Sequence, residues 1–250
     1  MLTLPALPER TAVDAVIQCA MDMEAAPFME ALIPVDGASE VQILRVGDED
    51  LHQQTFALGT LAGKSVLVVT SGIGLVNAAN ATSRALSLVD PELFIAAGTI
   101  GGLHVDINVG EITGGTTAIY NDADVTVFGY EMGQIPRMPV DYRTHPTTVA
   151  KLDHLREVSP HPVMVGRIVS GDSFASEQVV PGIRSRFPDA IGTDMETVAS
   201  AQVCYGMGVD WVCLRAVSDL CGAGSDEAFH MNGEDAARHS YDAVVAFLGI

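Results

Sequence analysis

Basic side chains are scarce in this 250-residue chain: 13 Lys and Arg stand against 32 Asp and Glu, a formal net charge of −19. Such a surface repels phosphodiester backbones and anionic lipid, which excludes nucleic-acid and membrane-surface partners. Cysteine is sparse too. Cys19, Cys204, Cys213 and Cys221 each lie in or beside an apolar run and form no CxxC pair. That argues against a disulfide framework or a zinc site and for reduced, buried thiols in a cytoplasmic protein. The seven histidines include no HxH or HxxxH spacing, so no metal site is expected. No apolar run approaches the ~20 residues of a membrane span. The opening MLTLPALPERTAVDA lacks the basic region and apolar core of a signal peptide. No GxSxG and no cysteine in an electropositive setting supports a Ser or Cys nucleophile.

What the chain has is apolar content: 48% hydrophobic residues, 18% charged and a mean hydropathy of +0.28. At this length that buries a sizeable core. After a short irregular lead over 1–12, AVIQCAM (15–21) predicts a strand and DMEAAPFMEAL (22–32) a helix, with Pro27 placed in a first turn. Residues 33–50 predict a loop and an edge strand, and 51–72 a strand, a turn at Ala62–Lys64 and a second strand. Residues 73–89 predict a helix closed by Pro91, 92–98 a short buried strand, 111–122 another strand and 123–139 an aromatic loop. The remainder reads as a surface helix (146–158), a strand (162–174), a helix (195–208), a strand (209–219) and a closing helix (234–248). No linker, repeat or composition break divides the chain. The expected fold is one α/β domain over 1–250, a central twisted mixed (largely parallel) β-sheet flanked by helices. Ligands of such sheets sit at the carboxyl ends of strands, here residues 21–24, 71–74, 98–102, 170–175 and 215–219.

Several motifs have bland readings. AGKS (62–65) ends like a P-loop, but Gly59 is one residue too close to Gly63, and a hairpin turn fits better. GIGLVN (72–77) is a dinucleotide fingerprint without its third glycine; it reads as a place where the main chain approaches a ligand. GTIGG (98–102) follows the same logic, beside the alternative of a plain tight turn. The two aspartates opening DADVTVFGYE (122–131) lack the partners of a calcium loop. Three acids remain at strand exits or helix starts: Glu24, Glu196 and Asp219. Singly, each is an acid of a first helical turn or an N-cap. Together, with Arg215 in the same stretch, they crowd like charges at one end of a sheet. Such crowding keeps one carboxyl protonated and another ionised at neutral pH. In GTDMETVA (192–199), Asp194 stands two residues from Glu196 and reads as a helix-start acid.

The sequence resembles the purine nucleoside phosphorylase/nucleosidase superfamily, and most closely the bacterial 5'-methylthioadenosine/S-adenosylhomocysteine nucleosidases. The resemblance runs from about Ala15 to the C-terminal helix. It rests on AMDME (20–24), SGIGLVNAA (71–79), AAGTIGGL (96–103), NDADVTVFGYEMGQIP (121–136), IVSGDSF (168–174), DMET (194–197) and LRAVSD (214–219) in that order. It implies a nucleoside phosphorylase-like fold, a small-molecule nucleoside substrate, no cofactor and no metal. By position it implies that Glu24 activates the hydrolytic water, Glu196 binds the ribose hydroxyls, and Asp219, steadied by Ser218, protonates the adenine. Thr99 and Arg215 would lie near water and ribose, with Gly101 beside them. Met195 would pack on the sugar and Phe174 on the base, while the Ala175 main chain reads the adenine edge. Met21 and Ile73 would line the 5'-alkylthio pocket. Phe128 and Pro136 would reach into a neighbour's site, which implies a homodimer.

The residue types suit the implied chemistry. Cleaving a ribosyl C–N bond builds positive charge on the sugar, which carboxylates stabilise, and the leaving base needs a general acid. A phosphorylase must hold a dianion, yet AMDMEAAPF and VTSGIGLVNAAN carry no basic residue; water is the expected nucleophile. The expected activity is hydrolysis of methylthioadenosine, S-adenosylhomocysteine and 5'-deoxyadenosine. The alternatives are a phosphorylase or futalosine-type nucleosidase of the same superfamily and a non-catalytic nucleoside-binding protein. The chain departs from the family pattern at Asp194 (commonly Glu), at Thr99-Ile100 (Ser-Ala), at Ala175 (a larger aliphatic) and over 220–233; the loop at 33–50 reads as longer than the family's.

Overall fold

Ala15, Ile17 and Cys19 feed one apolar cluster and Val16, between the first two, feeds another. That period of two, buried on both faces, makes the first apolar run an interior strand. In the computed structural model, which describes residues 9–250, this strand is β1 (Thr11–Cys19). It begins inside the lead expected over 1–12; residues 1–8 of that lead lie outside the described residues. The chain continues through α1 (Asp22–Ala31), β2 (Gln42–Asp48), β3 (His52–Leu61), β4 (Lys64–Thr70), α2 (Leu75–Leu88), β5 (Val89–Gly102) and β6 (Ile112–Tyr120). A 3-10 turn at Thr126–Phe128 precedes β7 (Tyr142–Arg143), α3 (Pro146–Val158), β8 (Val163–Ser170), α4 (Val180–Arg186), β9 (Ala190–Asp194), α5 (Thr197–Met207), β10 (Asp210–Asp219) and α6 (Ser225–Leu248).

The long β5 organises the sheet. It runs parallel to β1 and β10, and at Gly101 and Gly102 it pairs antiparallel with β9. β9 is parallel to β8, β8 parallel to β6, and β6 antiparallel to β10. Strands β5, β10, β6, β8 and β9 thus close a ring, and β1, β4, β3 and β2 extend it as an open sheet. Helices cover both faces. α2 turns Ala78, Ala81, Thr82, Ala85 and Leu86 inward, the 3–4 spacing of one helix face. α6 packs Phe247, Val244 and Ala243 into the cluster that holds Phe28 and Leu214. This is a single α/β domain with a mixed sheet, parallel at its core.

Where the elements differ from the sequence pattern, packing decides. β5 runs to Gly102 rather than stopping at 98, because Gly98 takes φ +117° and lets the strand turn and continue. α6 starts at Ser225, not 234: contacts with β5, β10 and α1 carry it through Gly233 against that residue's weak helix propensity. Pro27 lies in the second turn of α1 rather than the first, so the carbonyl four residues back, on Met23, lacks its helical donor. β7 and β9 are too short to show a period, and α4 is a seven-residue helix opening on Val180-Pro181.

Candidate active site

The carboxyl ends of β1, β5, β8, β9 and β10 open onto one cavity. Met21, Glu24, Ile73, Thr99, Gly101, Phe174, Ala175, Met195, Glu196, Arg215, Ser218 and Asp219 all line it, so every residue expected of the chain's own site meets there. The lining is largely apolar with a few converging polar groups, the usual make-up of a small-molecule site. Phe128 and Pro136 do not line it; both are exposed, Phe128 to 77%.

Glu24 is the third residue of α1 and is 1% exposed. Its Oε2 accepts from the amides of Ala20 (2.9 Å) and Met21 (3.1 Å), and its Oε1 from the amide (2.7 Å) and hydroxyl (2.6 Å) of Thr99. Four donors hold one buried carboxylate in a single orientation. Gly98 makes this approach possible: a Cβ there would lie 2.5–2.8 Å from the Glu24 carboxyl atoms.

Arg215, on β10, joins the acids. Its Nη1 lies 3.2 Å from Glu196 Oε2 and donates to the Thr99 carbonyl at 2.9 Å. Its Nε comes within 3.2 Å of Asp194 Oδ2 without the alignment of a hydrogen bond. Burial pulls the guanidinium down, but Asp194, then Glu196 and Glu24, raise it above its ordinary value. Asp194 ends β9 and, three residues ahead of Thr197, still accepts the first amide of α5. Ser170 Oγ (2.5 Å), the Thr197 hydroxyl and the Thr197 amide (3.2 Å) all donate to it, which fixes it against Arg215.

Glu196 is the residue before α5 and is 4% exposed. Its Oε1 accepts from the Gly74 amide at 2.9 Å. Burial pushes its carboxyl up to about 7, Arg215 opposes this and Asp194 adds to it. Next to the Gly74 bond, Asp172 Oδ1 accepts from the Leu75 amide at 2.8 Å. Two acids from distant segments thus receive the first amides of α2, where the helix dipole favours negative charge, and they hold the loop that carries Ile73.

Asp219 ends β10, and the next helix begins only at Ser225, so it caps nothing. Its Oδ2 accepts from Ser218 Oγ at 3.0 Å and its Oδ1 from the Cys221 amide at 3.0 Å. Burial raises its carboxyl above the usual range, and these two donors oppose the rise. Gly101 runs beneath it: a Cβ there would meet Cys221 Sγ at 2.5 Å.

Besides Asp194, the cavity has walls to which the sequence assigned no role: Ala20, Ile100, Ser173, Thr193, Cys221 and Phe229. The first four sit within or beside marked motifs. Cys221 follows Asp219 by two residues. Phe229 falls in the stretch 220–233, where nothing but its own apolar ring among acids and glycines singles it out. Among the described residues no group of three or more His, Cys, Asp and Glu converges as a metal site. The site acids are taken up by amides, hydroxyls and one guanidinium.

The profile of the phosphorylase superfamily matches residues 14–249. A 5'-methylthioadenosine/S-adenosylhomocysteine nucleosidase of Marinomonas sp. (strain MWYL1) is 38% identical over 208 residues, 80% of this chain and 90% of that protein. The crystal structure of the 5'-methylthioadenosine/S-adenosylhomocysteine nucleosidase of Neisseria meningitidis in complex with methylthio-immucillin-A aligns with a TM-score of 0.85 at 32% identity. It covers 96% of this chain and 99% of that one. The corresponding nucleosidase of Colwellia psychrerythraea 34H in complex with adenine aligns with a TM-score of 0.84 at 31% identity, over 96% of both chains.

Proposed function

Because the chain belongs to the phosphorylase superfamily, we propose that it hydrolyses the N-glycosidic bond of 5'-methylthioadenosine and S-adenosylhomocysteine, and of 5'-deoxyadenosine, to adenine and the 5'-substituted ribose. One observation carries this reading. Glu24, Glu196 and Asp219 surround a single cavity, and the one basic residue among its lining, Arg215, is already committed to Asp194, Glu196 and Thr99. The site is built to stabilise a cation and, among the described residues, has no free cation to hold a phosphate.

Catalysis follows from the charges. Glu196 accepts the ribose hydroxyls, with Met195 against the sugar, Phe174 on the base and the Ala175 main chain at the adenine edge. Met21 and Ile73 take the 5' group. As the C1'–N9 bond lengthens, its electron pair moves to the adenine, and Asp219 delivers a proton to N7. Positive charge grows on the sugar ring, and the buried carboxylates of Glu24 and Glu196 stabilise it. Water adds to C1' from the opposite face and gives its proton to Glu24, the geometry of an inverting glycosidase. Glu24 ends protonated and Asp219 ionised, and exchange with solvent resets both. Thr99 keeps Glu24 aligned, Arg215 does the same for Glu196, and Ser218 keeps Asp219 in place.

The reading predicts adenine release from methylthioadenosine in phosphate-free buffer at the same rate as with phosphate, followed by chromatography; release only on adding phosphate sinks it. The activity belongs to nucleoside catabolism and methionine salvage in the cytoplasm, where the four buried thiols Cys19, Cys204, Cys213 and Cys221 stay reduced. The working form is a homodimer in which Phe128 and Pro136 complete the neighbour's 5' pocket; the exposure of both side chains supports this. Sedimentation gives a dimer, and Phe128→Ala raises KM for methylthioadenosine several-fold with little effect on unfolding. A monomer of full activity refutes the dimer.

A further inference from the structure

We infer that Ser240, on α6 and outside the cavity, is a positioning residue that sets the spacing of β5 and β10 and thereby aims Glu24 and Arg215. Ser240 is 0% exposed. Its hydroxyl donates to the Leu214 carbonyl of β10 at 2.7 Å and accepts from the Gly98 amide of β5 at 2.9 Å. These groups belong to adjoining rungs of one parallel pair, Leu214 opposite Ala97 and Arg215 opposite Gly98. The slanted bonds of a parallel ladder run amide to carbonyl between such neighbours. Here a helix side chain stands between them, as a bridging water would, with both of its hydrogen-bonding roles used.

The position of that wedge gives it its effect. Gly98 is the strand residue at φ +117°, with the Glu24 carboxylate packed where a Cβ would be. The next residue, Thr99, gives Glu24 two of its four hydrogen bonds and its carbonyl takes Arg215 Nη1. On the other strand, Leu214 directly precedes Arg215. The hydroxyl therefore fixes the peptide unit just ahead of Thr99, which holds the water-activating Glu24, and the peptide unit from which the charge-pairing Arg215 hangs. A mid-helix serine commonly bonds back to the carbonyl four residues earlier; this one spends its proton on the sheet. Removing it leaves two outcomes for the strands. They close into a direct bond and carry Thr99 and Arg215 with them, or a buried amide and carbonyl stay unpaired. A displacement of about 1 Å in a catalytic group can cost on the order of 10²-fold.

The inference rests on the hydrolase reading above, and the assay separates the two. Wild-type adenine release without phosphate tests the reading; Ser240 variants, assayed only once that release is seen, test the inference. Ser240→Ala is expected to lower kcat for methylthioadenosine by about tenfold or more with KM within threefold. Ser240→Thr, which keeps the hydroxyl, is expected to restore most of kcat. Ala243→Gly weakens the same helix one turn on, and is expected to lower Tm with kcat unchanged. If Ser240→Ala does not accumulate as folded protein, Ser240→Cys, which keeps the shape and weakens both bonds, takes its place with the same expectations. Two results overturn the inference: kcat within twofold of wild type in the hydroxyl-deleted variant, or a loss of kcat that Ala243→Gly reproduces and Ser240→Thr does not rescue.

Discussion

Asp219→Asn is expected to fold as the wild type does and to lose about 10²–10⁴-fold in kcat, the range of a lost general acid. That range is roughly 3–5 kcal/mol of barrier. The substitution is well placed to isolate proton donation from structure. The amide oxygen of asparagine can still accept from the Cys221 amide, now 3.0 Å from Oδ1. The amide nitrogen then faces Ser218 Oγ, whose proton can turn to the Ile100 carbonyl at 3.4 Å, leaving the hydroxyl oxygen to accept. Both polar contacts survive while the transferable proton is gone. The pH profile adds a second check. Burial raises the Asp219 carboxyl above its usual range, so the acid form persists further toward neutral pH than in an exposed aspartate. Wild-type kcat falls as pH climbs through that raised value, and in Asp219→Asn this limb disappears. A variant within tenfold of wild type, or one that keeps the limb, shows that the proton comes from elsewhere.

Sequence pattern reached the three acids because they stand at strand exits, and strand exits are visible as the points where apolar runs give way to glycine and polar residues. It also reached Gly98 and Gly101, whose lack of a side chain is itself the signal. What it could not reach depends on segments far apart in the chain. Asp194 reads as a helix-start acid beside Glu196, yet β9 delivers it to Arg215, 21 residues on. Asp172 caps a helix that begins 97 residues earlier. The ring closed by β5 and β9 hangs on two residue pairs, Gly101 with Thr193 and Gly102 with Gly192; no periodicity marks them. Ser240 looks like any small residue on the inner face of α6. Its role exists only because Gly98 and Leu214 are brought to either side of it.

Glu196→Gln is expected to cost about 10² or more in kcat/KM for methylthioadenosine, comparable to deleting one preorganised charge-stabilising group, and to remove a pH dependence that the wild type shows without substrate. The site buries Glu24, Asp194 and Glu196 around a single guanidinium, Arg215. Burial is the largest influence on Glu196 and Arg215 only partly offsets it, so its carboxyl rises to about 7. In the unfolded chain it titrates near the ordinary value of 4.5. Between those values the folded protein binds more protons than the unfolded one, and stability falls as pH rises. The stabilisation is complete below the unfolded value and is lost as pH climbs through about 7. Tm of the wild type therefore rises on going from pH 8 to pH 6, and the Glu196 share of that rise vanishes in Glu196→Gln, leaving the part due to Asp219. Ribose hydroxyls reverse the balance, because they donate to the ionised carboxylate and favour it. Binding of an uncleaved thioadenosine analogue then expels a proton near neutral pH, and its affinity for the wild type strengthens from pH 6 to pH 8. An affinity flat across that interval, or a Glu196→Gln profile that matches the wild type's, would show that the carboxylate is not the group meeting the sugar. The same burial that makes Glu196 costly to ionise is what makes its charge strong once a ribose covers it, since the low dielectric that penalises the empty site amplifies the attraction to a growing cation.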